Sequence, residues 1–190
     1  AIKNYDGECL GSVESACEAK AELYAKGLGV STNPTEAARI RQQSCDRGNT
    51  IGCRNLALMY KEGVGVPKKD PAMAATLHEK ACNLRSNADC YELALMYEKG
   101  EGVKQDGKRV ASLFQRACGF GNYEACSNLG YYIFKGAADH KKDTTIGLSK
   151  LRQGCSSYSW RYKDEKEKIK NVWSCGALKR LNQKLDGPNA

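Results

Sequence analysis

The chain has 190 residues, with 30 lysines and arginines against 22 aspartates and glutamates, which gives a formal net charge of +8 at neutral pH. Hydrophobic residues make up 41% of the sequence and aromatic residues 8%. Leucine, alanine, valine and tyrosine occur along its whole length, and no apolar run approaches about 18 residues. The composition therefore excludes a disordered polymer and a membrane-spanning protein.

The ten cysteines follow a fixed period that divides the chain into repeats. The first eight form four pairs with eight residues from one cysteine to the other, and successive pairs begin 36 or 37 residues apart. A period in this range indicates a tandem array of small structural units.

Each repeat is predicted to contain, in chain order, helix A, a glycine turn and helix B. A small residue four positions after the second cysteine of a pair, and a large apolar or aromatic one at seven, define one face of helix A. A glycine ten positions after that cysteine ends helix A, and an asparagine or aspartate caps helix B. We predict four repeats within residues 1–155, after a short N-terminal cap, at about 17–52, 53–89, 90–125 and 126–155. Residues 156–190 are predicted to form an inserted loop and a C-terminal capping helix.

The cysteine pairs lie where helix B of one repeat meets helix A of the next. Because the link between them is short, the two helix ends lie side by side, so disulfides are sterically reasonable. Zinc is the alternative, but the sequence has no Cys-x-x-Cys hook and only two histidines, His78 and His140. Disulfides require an oxidising compartment, so we expect a periplasmic or secreted protein. The predicted pairs are Cys9–Cys17, Cys45–Cys53, Cys82–Cys90, Cys118–Cys126 and Cys155–Cys175.

A longer motif recurs with the cysteines. The second repeat reads Cys53-Arg-Asn-Leu-Ala-Leu-Met-Tyr60, followed by Gly63-Val-Gly-Val66, and the third repeat is nearly the same. This motif resembles the Sel-one-like repeat (SLR), a relative of the tetratricopeptide repeat, and with its cysteine pairs it resembles the Helicobacter cysteine-rich proteins. The resemblance implies an all-α fold. It would be an α/α solenoid, a right-handed superhelix of helix pairs stapled by disulfides, whose concave side is lined largely by helix A and binds proteins.

The resemblance also implies a choice of functions. Some exported SLR proteins serve as immunity proteins against secreted toxic effectors, whereas some cysteine-rich members bind penicillins or hydrolyse β-lactams weakly. The sequence contains neither the Ser-x-x-Lys and Lys-Thr-Gly motifs of serine β-lactamases nor a metalloprotease, nucleotide-binding or hydrolase motif. We therefore expect a protein-binding module with no catalytic residue, cofactor or metal, and keep a weak β-lactam-hydrolysing protein as the alternative. His78 is expected to be an ordinary surface residue of helix B.

Residues one, two and five positions after the second cysteine of each pair leave the packed face of helix A and are expected to line the binding groove. Simple solvation or packing between repeats is the alternative for each of them. These positions are Glu18, Ala19, Glu22, Arg54, Asn55, Leu58, Tyr91, Glu92, Leu95, Ser127, Asn128 and Tyr131. Among them we predict partner contacts for Arg54, Asn55, Tyr91, Asn128 and Tyr131, and we expect reversal of the Arg54 charge to leave thermal stability unchanged.

The segment after Cys155 is basic and aromatic. Residues 156–185 carry eight lysines and arginines against three acidic residues. We predict that Trp160 and Tyr162 contact the partner, the alternative being a cap over the last repeat. The partner is expected to be a bacterial effector or an envelope protein, with an acidic one favoured by the net charge, and neither nucleic acid nor a membrane-spanning role is expected.

Overall fold

A computed structural model of the protein describes residues 14–135 and 144–156, and every regular element within these ranges is an α-helix. The described helices have thirteen residues each and alternate between helix A and helix B of successive repeats. The predicted all-α class is confirmed. The helices are α1 (Glu14–Lys26), α2 (Pro34–Asp46), α3 (Thr50–Glu62), α4 (Pro71–Asn83), α5 (Asn87–Lys99), α6 (Gly107–Gly119), α7 (Tyr123–Lys135) and α8 (Thr144–Ser156).

Local signals set the helix ends. The first turns of α2, α4 and α6 each donate a backbone N–H to the side chain of a capping residue, which satisfies groups that the helix itself leaves unpaired. At the other end of helix A, Gly63 and Gly100 adopt left-handed φ angles of 79° and 72° and cap α3 and α5. The capping residues of helix B are Asn33, Asp70 and Asp106.

The second glycine of the turn allows successive repeats to approach closely. Gly65 has a φ of +70°, and a Cβ there would overlap the carbonyl of Pro34, the first residue of α2 in the preceding repeat. Gly102 has the same relation to Pro71 of α4. In the first repeat Gly29 has a φ of +77°, but a Cβ there would meet no described atom within 4 Å. The Gly-x-Gly-Val motif thus serves both the turn and the stacking of one repeat on the previous one.

Three disulfides join the end of a helix B to the start of the next helix A. They are Cys45–Cys53, Cys82–Cys90 and Cys118–Cys126, with Cα–Cα distances of 4.5, 4.6 and 4.7 Å. The zinc alternative is therefore wrong for these six sulfurs. A closed loop of about nine residues contributes about 2.6 kcal/mol by the chain-entropy relation, so each disulfide stabilises the junction between two repeats.

The remaining cysteines are only partly covered by the structure. Cys17 and Cys155 are also in disulfide form, and none of the described cysteines is a free thiol. Cys9 and Cys175, together with Asp143 and residues 157–190, lie outside the described residues. The pairs Cys9–Cys17 and Cys155–Cys175 stay predictions.

Packing divides the chain between Gln105 and Asp106 into two units. Unit 1 contains α1–α5, and its core consists of alanines, cystines and larger side chains such as Ile40 and Leu56. Several buried residues of unit 1 are polar or charged. These are Arg41, Ser44, Asn49, His78 and Asp89.

Unit 2 contains α6–α8 and has a more apolar core. Phe114 of α6 is buried and meets the ring of Tyr132 of α7 edge to face, with the ring centroids 5.8 Å apart. Gly130 of α7 lies so close to α8 that a Cβ there would come 2.7 Å from the backbone nitrogen of Leu151. Aromatic contact and small residues therefore hold the helices of unit 2 together.

Candidate protein-binding surface

The predicted contact residues fall on three described helices. Arg54 and Asn55 lie in the second turn of α3, Tyr91 lies at the matching place in α5, and Asn128 and Tyr131 lie on α7. Trp160 and Tyr162 lie outside the described residues, so their predicted role stays a prediction.

Arg54 forms an ion pair within unit 1. Its Nη2 lies 2.7 Å from Oδ2 of Asp89 on α5, and the same nitrogen donates to Oγ of Ser86 at 2.9 Å. The side chain of Asp89 is 0% exposed, whereas that of Arg54 is 34% exposed. Reversing the charge of Arg54 would place two like charges together at a buried site. We therefore predict, against the expectation from the sequence, that this change lowers thermal stability.

Asp89 also binds His78, and this contact corrects the prediction that His78 is a surface residue. His78 is 3% exposed, and its Nδ1 lies 2.8 Å from Oδ1 of Asp89. Burial acts to raise the pKa of Asp89, but hydrogen bonds from His78, Arg54 and Ser86 outweigh it and hold that pKa below its usual value of 3.8. Because Asp89 is ionised, Nδ1 of His78 is the donor. Ser86 bonds the carboxylate and not the imidazole, so this is a packing network and not a catalytic triad.

A second, partly buried network joins the first two repeats. Nη2 of Arg41 on α2 lies 2.5 Å from Oε1 of Glu18 and 3.3 Å from Oε2 of Glu22, both on α1. A third contact joins Nη1 of Arg41 to the sulfur of Met59 on α3 at 3.3 Å. Glu18 and Arg41 are therefore paired with each other within the protein.

Two pairs of equivalent side chains remain available on α3 and α5. Asn55 and Glu92 are half-buried and make no hydrogen bond or ion pair with the described residues. Leu58, one turn further along α3, is 43% exposed, and Leu95 at the same position of α5 is half-buried. We call these four residues the unit 1 face. Leu58, Glu92 and Leu95 were expected to line the groove but were not among the predicted contacts. The sequence could have identified them, because Leu58 and Leu95 occupy the same position of successive repeats, as do Asn55 and Glu92.

The corresponding positions of unit 2 differ in exposure. Ser127 of α7 is buried, and its hydroxyl donates to the backbone carbonyl of Tyr123 at 3.1 Å. Asn128 is half-buried, whereas Tyr131 is 36% exposed. Tyr131 is thus the residue of α7 that offers the largest accessible apolar area among the predicted contacts.

A cleft of about 580 Å³ lies elsewhere on unit 1, between the end of α2 and the last two turns of α4. Lys80 and Asp46 in its wall form an ion pair at 2.8 Å, and the hydrogen bond from Lys80 lowers the pKa of Asp46. Because these charges are already paired, the cleft is a weaker candidate than the unit 1 face. Its lining residues are Asp46, Arg47, Gly48, Thr76, Glu79, Lys80, Asn83 and Leu84.

The described residues contain no group of three histidines, cysteines, aspartates or glutamates arranged to hold a metal ion. Within the same part of the chain, no helix is both long enough and apolar enough to span a membrane.

Comparisons with solved structures show the same repeat architecture. A protective antigen of uropathogenic Escherichia coli with an SLR fold superposes with a TM-score of 0.77 at 24% identity, over 96% of this chain and 36% of that one. Cysteine rich protein B of Helicobacter pylori superposes with a TM-score of 0.51 at 28% identity, over 68% of this chain and 97% of that one. The fold is therefore an α/α solenoid of SLR type.

A shorter match connects the sequence to cytochrome c oxidase assembly factor 7 of Xenopus tropicalis, which is 36% identical over 67 residues. That match covers 35% of this chain and 29% of the relative, so the chain spans less than a third of the curated protein that it matches. The sequence model of the Sel1 repeat matches at residues 15–49, 50–86, 88–118 and 124–149, which together make up most of the chain. The chain belongs to the Sel1 repeat family.

Proposed function

We propose that this protein is a non-enzymatic module that binds a protein partner, with the unit 1 face and Tyr131 among its contacts. The observation that carries the proposal is the unit 1 face, where partly exposed leucines lie one helical turn from polar groups that have no partner in the described part of the chain. Protein interfaces combine apolar contact area with such adaptable polar groups. Sel1 repeats generally mediate protein interactions, and this chain carries four matches to that repeat.

The framework beneath the unit 1 face supports this role. Disulfides Cys45–Cys53 and Cys82–Cys90 cross-link its helices, and Arg54 ties α3 to the buried carboxylate of Asp89. A surface on such a framework loses little conformational freedom when a partner binds. Pre-organisation of this kind raises affinity.

The narrower form of the proposal is an exported bacterial protein, periplasmic or secreted, that neutralises a toxic effector as an immunity protein. Disulfides between buried cysteines support an oxidising compartment. The immunity role rests on the resemblance to exported SLR proteins with that function. Trp160 and Tyr162 of the C-terminal segment belong to the same proposal as further contacts.

The test compares capture of partners by the wild-type chain and by Leu58→Ala/Leu95→Ala, using the envelope fraction of the source organism. The matched control is Leu28→Ala/Val64→Ala, because these apolar residues are also exposed, at 54% and 48%, but lie in turns and belong neither to the unit 1 face nor to the cleft. We expect the control to retain the captured partner and the face variant to lose it. Equal capture by both variants would show that the unit 1 face does not bind.

The non-enzymatic part of the proposal has its own test. A chromogenic β-lactam incubated with the purified chain is expected to remain intact. Sustained hydrolysis that co-purifies with the chain, and that disappears when the chain is removed by antibody, would overturn this part and favour the β-lactam-hydrolysing alternative.

A further inference from the structure

The charged residues at the groove positions of unit 1 can be sorted into those that already form ion pairs and those that do not. Arg54 is paired with Asp89, and Glu18 is paired with Arg41. Glu22 contacts both Lys26 and Arg41. Of the charged groove positions on α1, α3 and α5, only Glu92 has no ion pair or hydrogen bond with the described residues.

The ends of the same helices do not neutralise Glu92. Glu62 at the end of α3 and Lys99 at the end of α5 occupy equivalent, exposed positions and carry opposite charges. Lys99 lies seven residues from Glu92, which is about 10 Å along the helix axis, roughly a Debye length at physiological salt. Among the described residues, the unpaired charge beside Leu58 and Leu95 is therefore negative.

The arrangement repeats on two successive helices A. Asn55 and Leu58 on α3 are separated by three residues, as are Glu92 and Leu95 on α5, so each helix presents a polar group and a leucine on one side. The ion pair between Arg54 and Asp89 shows that α3 and α5 are neighbours. A ligand that crosses both helices meets an amide, two leucines and a carboxylate.

We infer that the contact segment of the partner is a basic and apolar stretch of polypeptide, with a lysine or arginine that pairs with Glu92 and apolar side chains that cover Leu58 and Leu95. The side-chain amide of Asn55 then forms hydrogen bonds with the main chain of the segment. This inference rests on the proposed function and specifies its partner. A half-buried carboxylate without a partner among the described residues gains a charge-assisted hydrogen bond on binding and is less screened by salt than a fully exposed one.

The inference reverses the expectation from net charge. The total of +8 favours an acidic partner, because the field of the whole protein steers diffusion before contact. Contacts in the bound complex depend instead on the groups that face the ligand, and on this face the arginine is already paired. Steering affects the association rate, whereas pairing at Glu92 affects the dissociation rate.

The experiment uses two sets of synthetic twelve-residue peptides with the same leucine content. One set carries lysine and arginine at its variable positions, and the other carries aspartate and glutamate. Binding to the full chain is measured by fluorescence anisotropy at physiological salt. We expect the basic set to bind more tightly, Glu92→Gln to weaken that binding roughly fivefold, and Glu92→Lys to favour the acidic set. Glu124→Gln, which removes the same charge at an exposed position of α7, is the control and is expected to change neither affinity.

The outcomes separate this inference from the proposed function. Tighter binding of the acidic set, abolished by Leu58→Ala/Leu95→Ala, would overturn the basic partner and leave the proposed function standing. If the basic set bound more tightly but neither Glu92→Gln nor Glu92→Lys changed its affinity, the inference would also be overturned, since the lysine or arginine of the peptide would be bound elsewhere. Binding of neither set would contradict both.

Discussion

The two units fill the same position of helix B with opposite chemistry. Arg41 and His78 in unit 1, and Phe114 and Leu151 in unit 2, each lie four residues before the first cysteine of a pair. All four are buried. In unit 1 the neighbouring helices supply carboxylates, whereas in unit 2 Phe114 meets the ring of Tyr132. The repeat thus fixes the burial of this position but leaves its chemistry to the neighbours.

This difference changes how each unit fails. A buried apolar side chain that is shortened leaves a cavity, and its neighbours can partly relax into it. A buried charge that loses its partner retains the full cost of desolvation, which relaxation does not remove. Unit 1 should therefore be more sensitive than unit 2 to the loss of a single polar group.

The largest effect is expected from Asp89→Ala. This change removes the hydrogen bonds of the carboxylate to Arg54 and Ser86 and leaves the buried imidazole of His78 without its partner. We expect the free energy of unfolding to fall by about 3–5 kcal/mol, the sum of the lost bonds to a charged group and of the unsatisfied buried group. Urea unfolding of the oxidised protein, followed by circular dichroism, measures the loss. The matched change in unit 2, Ala125→Gly, also alters the residue before the second cysteine and is expected to cost about 1 kcal/mol.

The double variant His78→Phe/Asp89→Ala sharpens the comparison, because it gives unit 1 the pair of residues that unit 2 carries at Phe114 and Ala125. Replacing both buried polar partners by apolar groups is often neutral, so most of the stability lost in Asp89→Ala should return. Arg54 can then turn to solvent, since a third of its side chain is already exposed. If the double variant were no more stable than Asp89→Ala, the loss in Asp89→Ala could not be explained by the unpaired imidazole of His78.

The next effect concerns the turns. Gly65 and Gly29 both have left-handed φ angles, so alanine at either position costs about 1 kcal/mol. Within the described residues only Gly65 of the two also abuts the backbone of the preceding repeat, at Pro34, and overpacking there should add about 1–3 kcal/mol. Thermal unfolding of the two single variants measures the difference. Equal losses would mean that contact between the turn and the preceding repeat is unimportant for stability.

The sequence was sufficient to predict the parts of the fold that depend on local signals. Asn33, Asp70 and Gly63 mark helix ends through groups within four residues of them, and the period of the cysteines locates the junctions between repeats. The disulfide between Cys45 and Cys53 is local in the same sense, since a short link brings its ends together.

The candidate site was harder to predict because its residues depend on partners far away in the sequence. Arg54 looks like a free contact residue until Asp89, 35 positions later, is found beside it. The other repeats have Ala16, Gly52 and Ala125 at the position of Asp89. This pattern predicts a small residue there and gives no indication of a buried carboxylate. Comparison of equivalent positions does give a signal: His78 shares its position with buried Phe114 and Leu151, and a polar residue at a core position requires a partner.

The smallest predicted effect is a change in the acid response of unit 1. The pKa of Asp89 lies below 3.8 in the folded chain, so Asp89 binds its proton more weakly there than when unfolded. Its contribution to stability is therefore complete above the unfolded value and is lost as pH falls through the lower folded value. Glu22, Glu36 and Asp46 also have lowered pKa values, so the wild-type chain loses stability in acid through several groups.

Comparison with His78→Phe/Asp89→Ala isolates the joint share of His78 and Asp89. Urea midpoints of both proteins, measured between about pH 5 and pH 2, should converge as pH falls, because the wild-type chain loses a contribution that the variant never had. The decisive observation is how the difference between the two urea midpoints changes as pH falls. Midpoints that fall in parallel would mean that folding does not change the pKa of Asp89. A difference that widens as pH falls would mean that Asp89 is protonated in the folded protein, and then the donor in its bond with His78 would be the carboxyl group and not the imidazole.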